Sequence, residues 1–314
     1  MLSPRHLLPT LWLLLFQQIC TASYTLKDDY GNDEKFFDKF DFSQGYVSYV
    51  DRSTAKTSGL ISASGGSVYF GVDTRNSAWG SGRQSVRLTS HQDYTHGLVV
   101  LDLAHMPGSV CGTWPAFWMI GTVPPTAGEI DIIEGMNEGP TNLVTLHTNH
   151  DGCTVNNSGF SGILGRDTCY IYSTGLGGSG GCSIVDPNPE SYGGIFNGGG
   201  GGVYATEWTS DVIRVWHFSR SKIPGNVQSG SPDPSTWGTP VASFSGGCNI
   251  DAQFNNLHLV FDITFCGDWA GGTWASSRVC ASKAPTCVDY VRNNPRAFEE
   301  SYWRVNSLKV YQRS

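Results

Sequence analysis

Three carboxylic acids crowd one short run of the chain, Gly128-Glu129-Ile130-Asp131-Ile132-Ile133-Glu134-Gly135, with only isoleucines between them. Isoleucine favours strand, because a branched side chain packs well on a pleated surface. Strand side chains alternate between faces with period two, so Glu129 and Asp131 share a face. Glu134 breaks the parity, since a third acid on that face belongs at position 133. One extra residue, taken up as a β-bulge, restores it. The run then reads as a bulged strand with three acids aimed one way. Two glutamates flanking a bond, with an aspartate between them, are the equipment for general acid/base or nucleophilic chemistry on a glycosidic linkage. The competing reading of these eight residues is a solvated sheet face, polar outside and apolar inside.

The elements around this run are also strands. Short β-type runs recur at residues 45–50, 67–72, 84–90, 97–103, 143–148, 212–218, 257–263 and 305–311. Many alternate, as half-buried strands do. Gly, Ser, Asn and Pro fill the gaps as turn formers. Helical periodicity is scarce, and residues 295–302 are the one place where a short helix is expected. The pattern predicts an all-β fold, a sandwich or jelly roll of antiparallel sheets. The glycine run at 198–202 lies inside this pattern, so it predicts a loop hugging another surface rather than a linker. Residues 229–240, rich in Ser, Pro and Thr, read as a surface loop.

At the start, Arg5 and His6 precede an apolar stretch at 7–16, and Cys20-Thr21-Ala22 supplies small residues for cleavage. This predicts a secretory signal over residues 1–22. Its apolar part is far short of the roughly 20 residues that span a bilayer. Residues 23–314 then form a single catalytic domain, and the end Val310-Tyr311-Gln312-Arg313-Ser314 carries no apolar tail for a lipid anchor. Cleavage removes Cys20 and leaves eight cysteines, at 111, 153, 169, 182, 248, 266, 280 and 287. An even count in a secreted chain predicts disulfides, four of them, with the connectivity open. No cysteine spacing pairs with histidines as a zinc site would, so no metal and no cofactor is expected.

Loss of Arg5 leaves 19 basic against 27 acidic residues, a net charge of −8. That argues against nucleic acid and against an anionic membrane as partners, since both call for basic patches. A neutral polymer and a monomeric protein fit better. Nine tryptophans remain, and indole rings suit both the apolar faces of pyranoses and a large β-sandwich core.

Three motifs taken together carry a resemblance. Glu129-Ile130-Asp131-Ile132-Ile133-Glu134, Gly112-Thr113-Trp114-Pro115-Ala116-Phe117-Trp118 and Phe265-Cys266-Gly267-Asp268-Trp269-Ala270-Gly271 resemble glycoside hydrolase family 16, and within it the fungal laminarinase-type endo-β-1,3(4)-glucanases. The likeness also takes in Gly202-Val203-Tyr204-Ala205-Thr206-Glu207-Trp208 and the stretch 301–311. It implies a jelly roll whose concave sheet forms an open cleft for β-glucan. It makes Glu129 the nucleophile and Glu134 the acid/base, with Asp131 between them. Like charges so close push pKa values apart, which lets neighbouring carboxyls hold different protonation states. The resemblance places Trp118 beside the scissile bond, His147 near the acid/base and Arg87 against a sugar. Trp114, and Trp269 with Asp268, are candidates for the cleft wall. Trp208 and Trp216 belong to the core, and Cys111 and Cys266 to disulfides rather than to chemistry.

Two positions depart from the family pattern. Many fungal members carry a tryptophan, often within Asn-Trp-Pro, in the loop before the nucleophile. Here that loop is Val123-Pro124-Pro125-Thr126-Ala127, so one stacking contact is expected to be absent. Ser48 stands where related sequences often have asparagine. Asn156-Asn157-Ser158 is a glycosylation sequon, consistent with secretion. Two other functions remain open on the same residues. One is transglycosylation, in which a sugar captures the glycosyl-enzyme. The other is a glucan-binding protein without catalysis, for which two intact glutamates would be superfluous.

Overall fold

Alternating apolar and polar residues sort the strands into two sheets facing each other across one core. The structure, a computed structural model, describes residues 23–42, 47–80, 82–121, 128–172 and 180–313. The signal read at 1–22 and the ring-free loop at 123–127 lie outside the described residues. One sheet runs, across its width, Ile163–Arg166, Cys182–Val185, Leu143–His147, Glu129–Glu134, Thr113–Gly121, Leu257–Phe265, Leu88–Tyr94 and Phe40–Phe42. The other runs Ala242–Phe244, Ile213–Ser219, Gly202–Trp208, Gly97–His105, Tyr302–Arg313, Ser67–Gly71 and Ile61–Ser64, and Tyr24–Asp29 also pairs with Tyr302–Arg313. Both sheets are antiparallel, as the predicted jelly-roll sandwich requires. Leu101, Leu103 and Val305 of one sheet meet Phe117, Met119 and Ile130 of the other in the buried core.

Trp208 and Trp216 are both buried core residues, Trp208 in that cluster and Trp216 in a second one. Leu98, Val100, Val203, Ala205 and Trp216 form a second apolar cluster with Trp237. Trp237 meets Trp216 edge-on, with ring centroids 5.3 Å apart. The segment 229–240, read as a surface loop, therefore covers an apolar sheet face that needs a second layer. The glycine run behaves as predicted: a Cβ on Gly201 would sit 2.0 Å from the Leu103 carbonyl oxygen. Helical turns are more numerous than the one expected. That one is the short 3-10 turn Pro295–Phe298, but Arg52–Thr57, Gly193–Gly198 and Cys287–Asn293 are α-helical. Six or seven residues make at most two turns, too few for a 3.6-residue pattern to register.

The carboxylate strand is bulged where the parity argument requires. Against Thr113–Gly121, Asp131 pairs with Trp118, and the next pair is Ile133 with Phe117. Ile130, Ile132 and Ile133 all lie fully buried in the core. Burying each side chain contributes roughly 1.5–3 kcal/mol, which anchors a strand whose other face carries repelling acids. Glycines at both ends leave room for neighbours. A Cβ on Gly128 would lie 2.4 Å from the Gln253 carbonyl oxygen, and one on Gly135 2.6 Å from the Tyr192 ring.

A bulge interrupts the ladder, so some side chain has to satisfy the freed backbone. Asn142 does so: its Oδ1 accepts from the Glu134 N–H at 2.9 Å, and its Nδ2 donates to the Ile132 carbonyl at 2.9 Å. Asn142 is fully buried. Asn142→Ala would leave both backbone groups unpaired, at about 1–3 kcal/mol each. Urea unfolding should therefore show a stability loss of roughly 2–6 kcal/mol, with the Glu134 side chain losing its aim. An unchanged midpoint would show that the bulge holds itself.

The run at 84–90 is not one strand. Gln84–Ser85 pairs in parallel with Ser48–Tyr49, while Leu88–Tyr94 joins the carboxylate sheet. Arg87 falls in the break between them. The eight cysteines of 23–314 form four disulfides, as predicted: Cys111–Cys280, Cys153–Cys248, Cys169–Cys182 and Cys266–Cys287.

Candidate active site

Register determines which residues share the open face of the carboxylate sheet. Glu129 stands opposite Ile120 and His147, Asp131 opposite Trp118 and Thr145, and Glu134 opposite Ala116 and Leu143. On the next strand, Asp262 stands opposite Ala116 and Thr264 opposite Trp114. These rows line a cleft of about 240 Å³ that contains Glu129, Asp131, Glu134, Trp114, Ala116, Trp118, Arg87, Asp262 and Thr264. All three acids of the opening run thus face the same cleft.

The acids differ in how far they are enclosed. The Glu129 side chain is 30% exposed, while that of Asp131 is 4% exposed. Glu134 is buried, and its Oε1 accepts from the Trp114 indole N–H at 2.8 Å. His147 Nε2 lies 3.2 Å from Asp131 Oδ2 and 3.9 Å from Glu129 Oε1. That approach is out of line for a hydrogen bond, and Asp131 Oδ2 has no hydrogen-bond partner.

Burial raises every acid in the cleft, and a neighbouring acid adds to it for Glu129, Asp131 and Glu134. Burial pushes the Glu129 carboxyl up to about 8, helped by the charge of Asp131 and opposed by His147 and Arg87. Burial also holds Asp131 well above the usual carboxylate range, with Asp262 adding to it. Glu134 is likewise held well above it, by burial first and by Asp131 second, while the Trp114 hydrogen bond pulls the other way. Asp262 is pushed up to about 6 by burial, against the pull of Arg87 and Trp118. In such a cluster, ionising one member keeps its neighbours protonated. Glu129, with the most solvent, bears a charge most easily of the three. The cleft can therefore hold one carboxylate and one carboxylic acid on the same strand.

Around the acids, Arg87 Cζ sits 4.8 Å from the centre of the Trp118 ring. Trp269 meets Trp114 edge-on, centroids 5.5 Å apart. Trp269 rides on the Gly267–Gly271 turn, which is fastened at two points. The Cys266–Cys287 disulfide holds its start, and Asn137 donates to the Ala270 carbonyl at 3.0 Å. Asn137 also accepts from the Gly112 N–H at 2.7 Å, tying this wall to the end of the carboxylate strand. Asp268 is exposed on the turn. Asn156, the sequon asparagine, is exposed and outside the cleft lining.

Among the described residues, two groupings have the spacing of metal ligands. Cys111, Glu138 and Cys280 form one, but both cysteines are spent in a disulfide. Glu129, Asp131 and His147 form the other, with one polar atom from each within 4.8 Å.

Sequence reasoning missed Asp262, Thr264, Asn142 and Asn137. Asp262 was within reach: alternation along Leu257–Phe265 puts His258, Val260, Asp262 and Thr264 on one face, and a lone acid in an apolar strand is a signal. Asn137 and Asn142 sit in turns, where asparagine is ordinary.

The comparisons agree with this geometry. The family model described as XgeA-like, catalytic GH16 domain matches residues 35–311. The chain is 44% identical over 304 residues to an endo-1,3(4)-beta-glucanase of Arthroderma benhamiae, covering 94% of this chain and 66% of that protein's length. Among solved structures, an elongating GH family 16 beta-1,3-glucosyltransferase is 42% identical with a TM-score of 0.84, covering 92% of this chain and 100% of that one. Laminarinase 16A from Phanerochaete chrysosporium, solved with 6-O-glucosyl-laminaritriose in donor and acceptor sites, is 38% identical with a TM-score of 0.85, covering 93% and 100%. A cleft of paired carboxyls on a jelly roll, matched by the family model over most of its length, places the chain in glycoside hydrolase family 16.

Proposed function

We propose that the chain is a secreted endo-β-1,3(4)-glucanase that works by a retaining double displacement, acting as a monomer on β-glucan. The observation that carries this is the bulge, which turns Glu129, Asp131 and Glu134 onto one cleft face. Glu129 attacks the anomeric carbon as a carboxylate. The bond to the leaving oxygen breaks as Glu134 gives that oxygen its proton. Water then attacks the glycosyl-enzyme, losing a proton to the Glu134 carboxylate and freeing Glu129. Asp131, buried between the two, keeps their protonation states apart. Trp118, Arg87 and His147 contact sugar, and Trp114 and Trp269 form a wall. Four disulfides and the signal read at 1–22 fit an oxidising, extracellular setting.

One comparison favours a second reading. The glucosyltransferase that matches this chain is described as elongating, so a sugar hydroxyl can replace water as the acceptor on this architecture. Purified protein incubated with laminarin, lichenan, chitin, xyloglucan and galactan distinguishes the two. Shorter oligosaccharides from laminarin and lichenan alone are the expected result. Products longer than a supplied laminari-oligosaccharide would assign transfer, and cleavage of only xyloglucan or galactan would overturn the substrate class.

A further inference from the structure

Asp262 takes no part in the reaction just described, yet it is a buried carboxyl on the cleft floor. It shares a cross-strand row with Ala116 and Glu134. Two strand spacings separate the ends of that row, roughly 10 Å, with only a methyl group between them. Asp262 Oδ2 accepts the indole N–H of Trp118 at 3.2 Å, the only hydrogen bond that Trp118 makes with its ring among the described residues. Arg87 lies over the same ring, and its Nε is buried with no hydrogen-bond partner. Arg87 forms no ion pair within 4.0 Å among the described residues, and the Asp262 carboxyl interacts with its charge through space.

We propose that Asp262 is a positioning residue for the glucan: it fixes the plane of the Trp118 ring and keeps the Arg87 guanidinium over that ring. The inference rests on Glu129 and Glu134 being the reacting pair. A planar indole free to rotate offers no defined stacking surface, and a guanidinium held against it brings its terminal N–H donors beside the sugar laid there. Asp262 also acts through its charge. The groups facing it are Arg87, Tyr49 beside Thr264, and Asp131 and Glu129 on the carboxylate strand, with Glu134 and His147 farther along the cleft. Its charge helps raise both Glu129 and Asp131.

Two variants separate these effects. Asp262→Asn keeps an oxygen for the Trp118 N–H and removes the charge, while Asp262→Ala removes both. Asp262→Ala should raise the KM for laminarin about tenfold, the equivalent of one well-placed contact, with a smaller change in kcat. Placed in a Glu129→Ser background, it should weaken laminari-oligosaccharide binding by a similar factor in calorimetry, with no turnover required. Asp262→Asn should move the acid limb of kcat/KM to lower pH, because losing a neighbouring negative charge lets Glu129 ionise more easily. The alkaline limb should stay in place. Asp262→Asn is nearly isosteric, and its thermal unfolding checks that it folds. Unchanged affinity in Asp262→Ala, or an unmoved acid limb in folded Asp262→Asn, would overturn the proposal. Near-parental hydrolysis by Glu129→Ser alone would instead overturn the reacting pair, and the affinity comparison would still decide the role of Asp262.

Discussion

Glu129→Ser is expected to abolish glucan hydrolysis while leaving oligosaccharide binding intact. If Glu129 is the nucleophile, as proposed, serine is too short to reach the anomeric carbon in its place, and it has no carboxylate to bond with. Losing a covalent nucleophile costs at least roughly 10⁴-fold in kcat. On the proposed reading, binding survives because the sugar contacts come from other elements: Trp118 on Thr113–Gly121, Arg87 before Leu88–Tyr94, and His147 on Leu143–His147. The variant should also be somewhat more stable than the parent. Glu129 is raised by burial and by Asp131, so its charged form is disfavoured in the folded protein and removing it relieves repulsion. Reducing-sugar release from laminarin, together with calorimetric titration of an oligosaccharide, checks both parts. Near-normal cleavage would sink the assignment.

Glu134→Gln is the second large effect, and its signature differs. The amide keeps an oxygen for the Trp114 N–H, so the cleft should keep its shape. It has no proton to give the leaving oxygen. On laminarin, kcat should fall by roughly 10²–10⁴-fold, the usual worth of a general acid. An aryl glycoside with an acidic phenol needs no such proton, so its first step should run at a near-parental rate. The pH profile carries the sign. As the proposed acid, Glu134 must be protonated to act, and its pKa is raised by burial and by Asp131. Activity of the parent therefore falls as pH rises through that value, and Glu134→Gln should lack this alkaline limb. A limb that persists would place the acid on another residue.

The opening run was legible because strand parity is a strict rule with period two, and a breach of it has few causes. Counting from Glu129 shows that Glu134 is one position out, and a bulge that buries both Ile132 and Ile133 is the structural answer. Arg87 could be named from its likeness to the family, but its placement depends on a strand break between Ser85 and Leu88 that alternation does not reveal. Asp262 was readable in principle and passed over, because its partner Trp118 lies on another strand. The wall beneath Trp269 depends on Asn137 and on the pairing of Cys266 with Cys287, neither of which spacing can specify, since eight cysteines allow 105 connectivities. The segment 229–240 looked like a surface loop because its composition is polar; the one residue that decides its role is Trp237, packed on Trp216.

The central claim is that Glu129 and Glu134 act in succession through a glycosyl-enzyme. Following the first seconds of laminari-oligosaccharide cleavage by proton NMR tests it directly, before the new reducing end mutarotates. Two inversions at one carbon return the starting configuration, so the first-formed sugar should be the β anomer. An α anomer appearing first would mean a single displacement by water, and Glu129 would then be a base rather than a nucleophile.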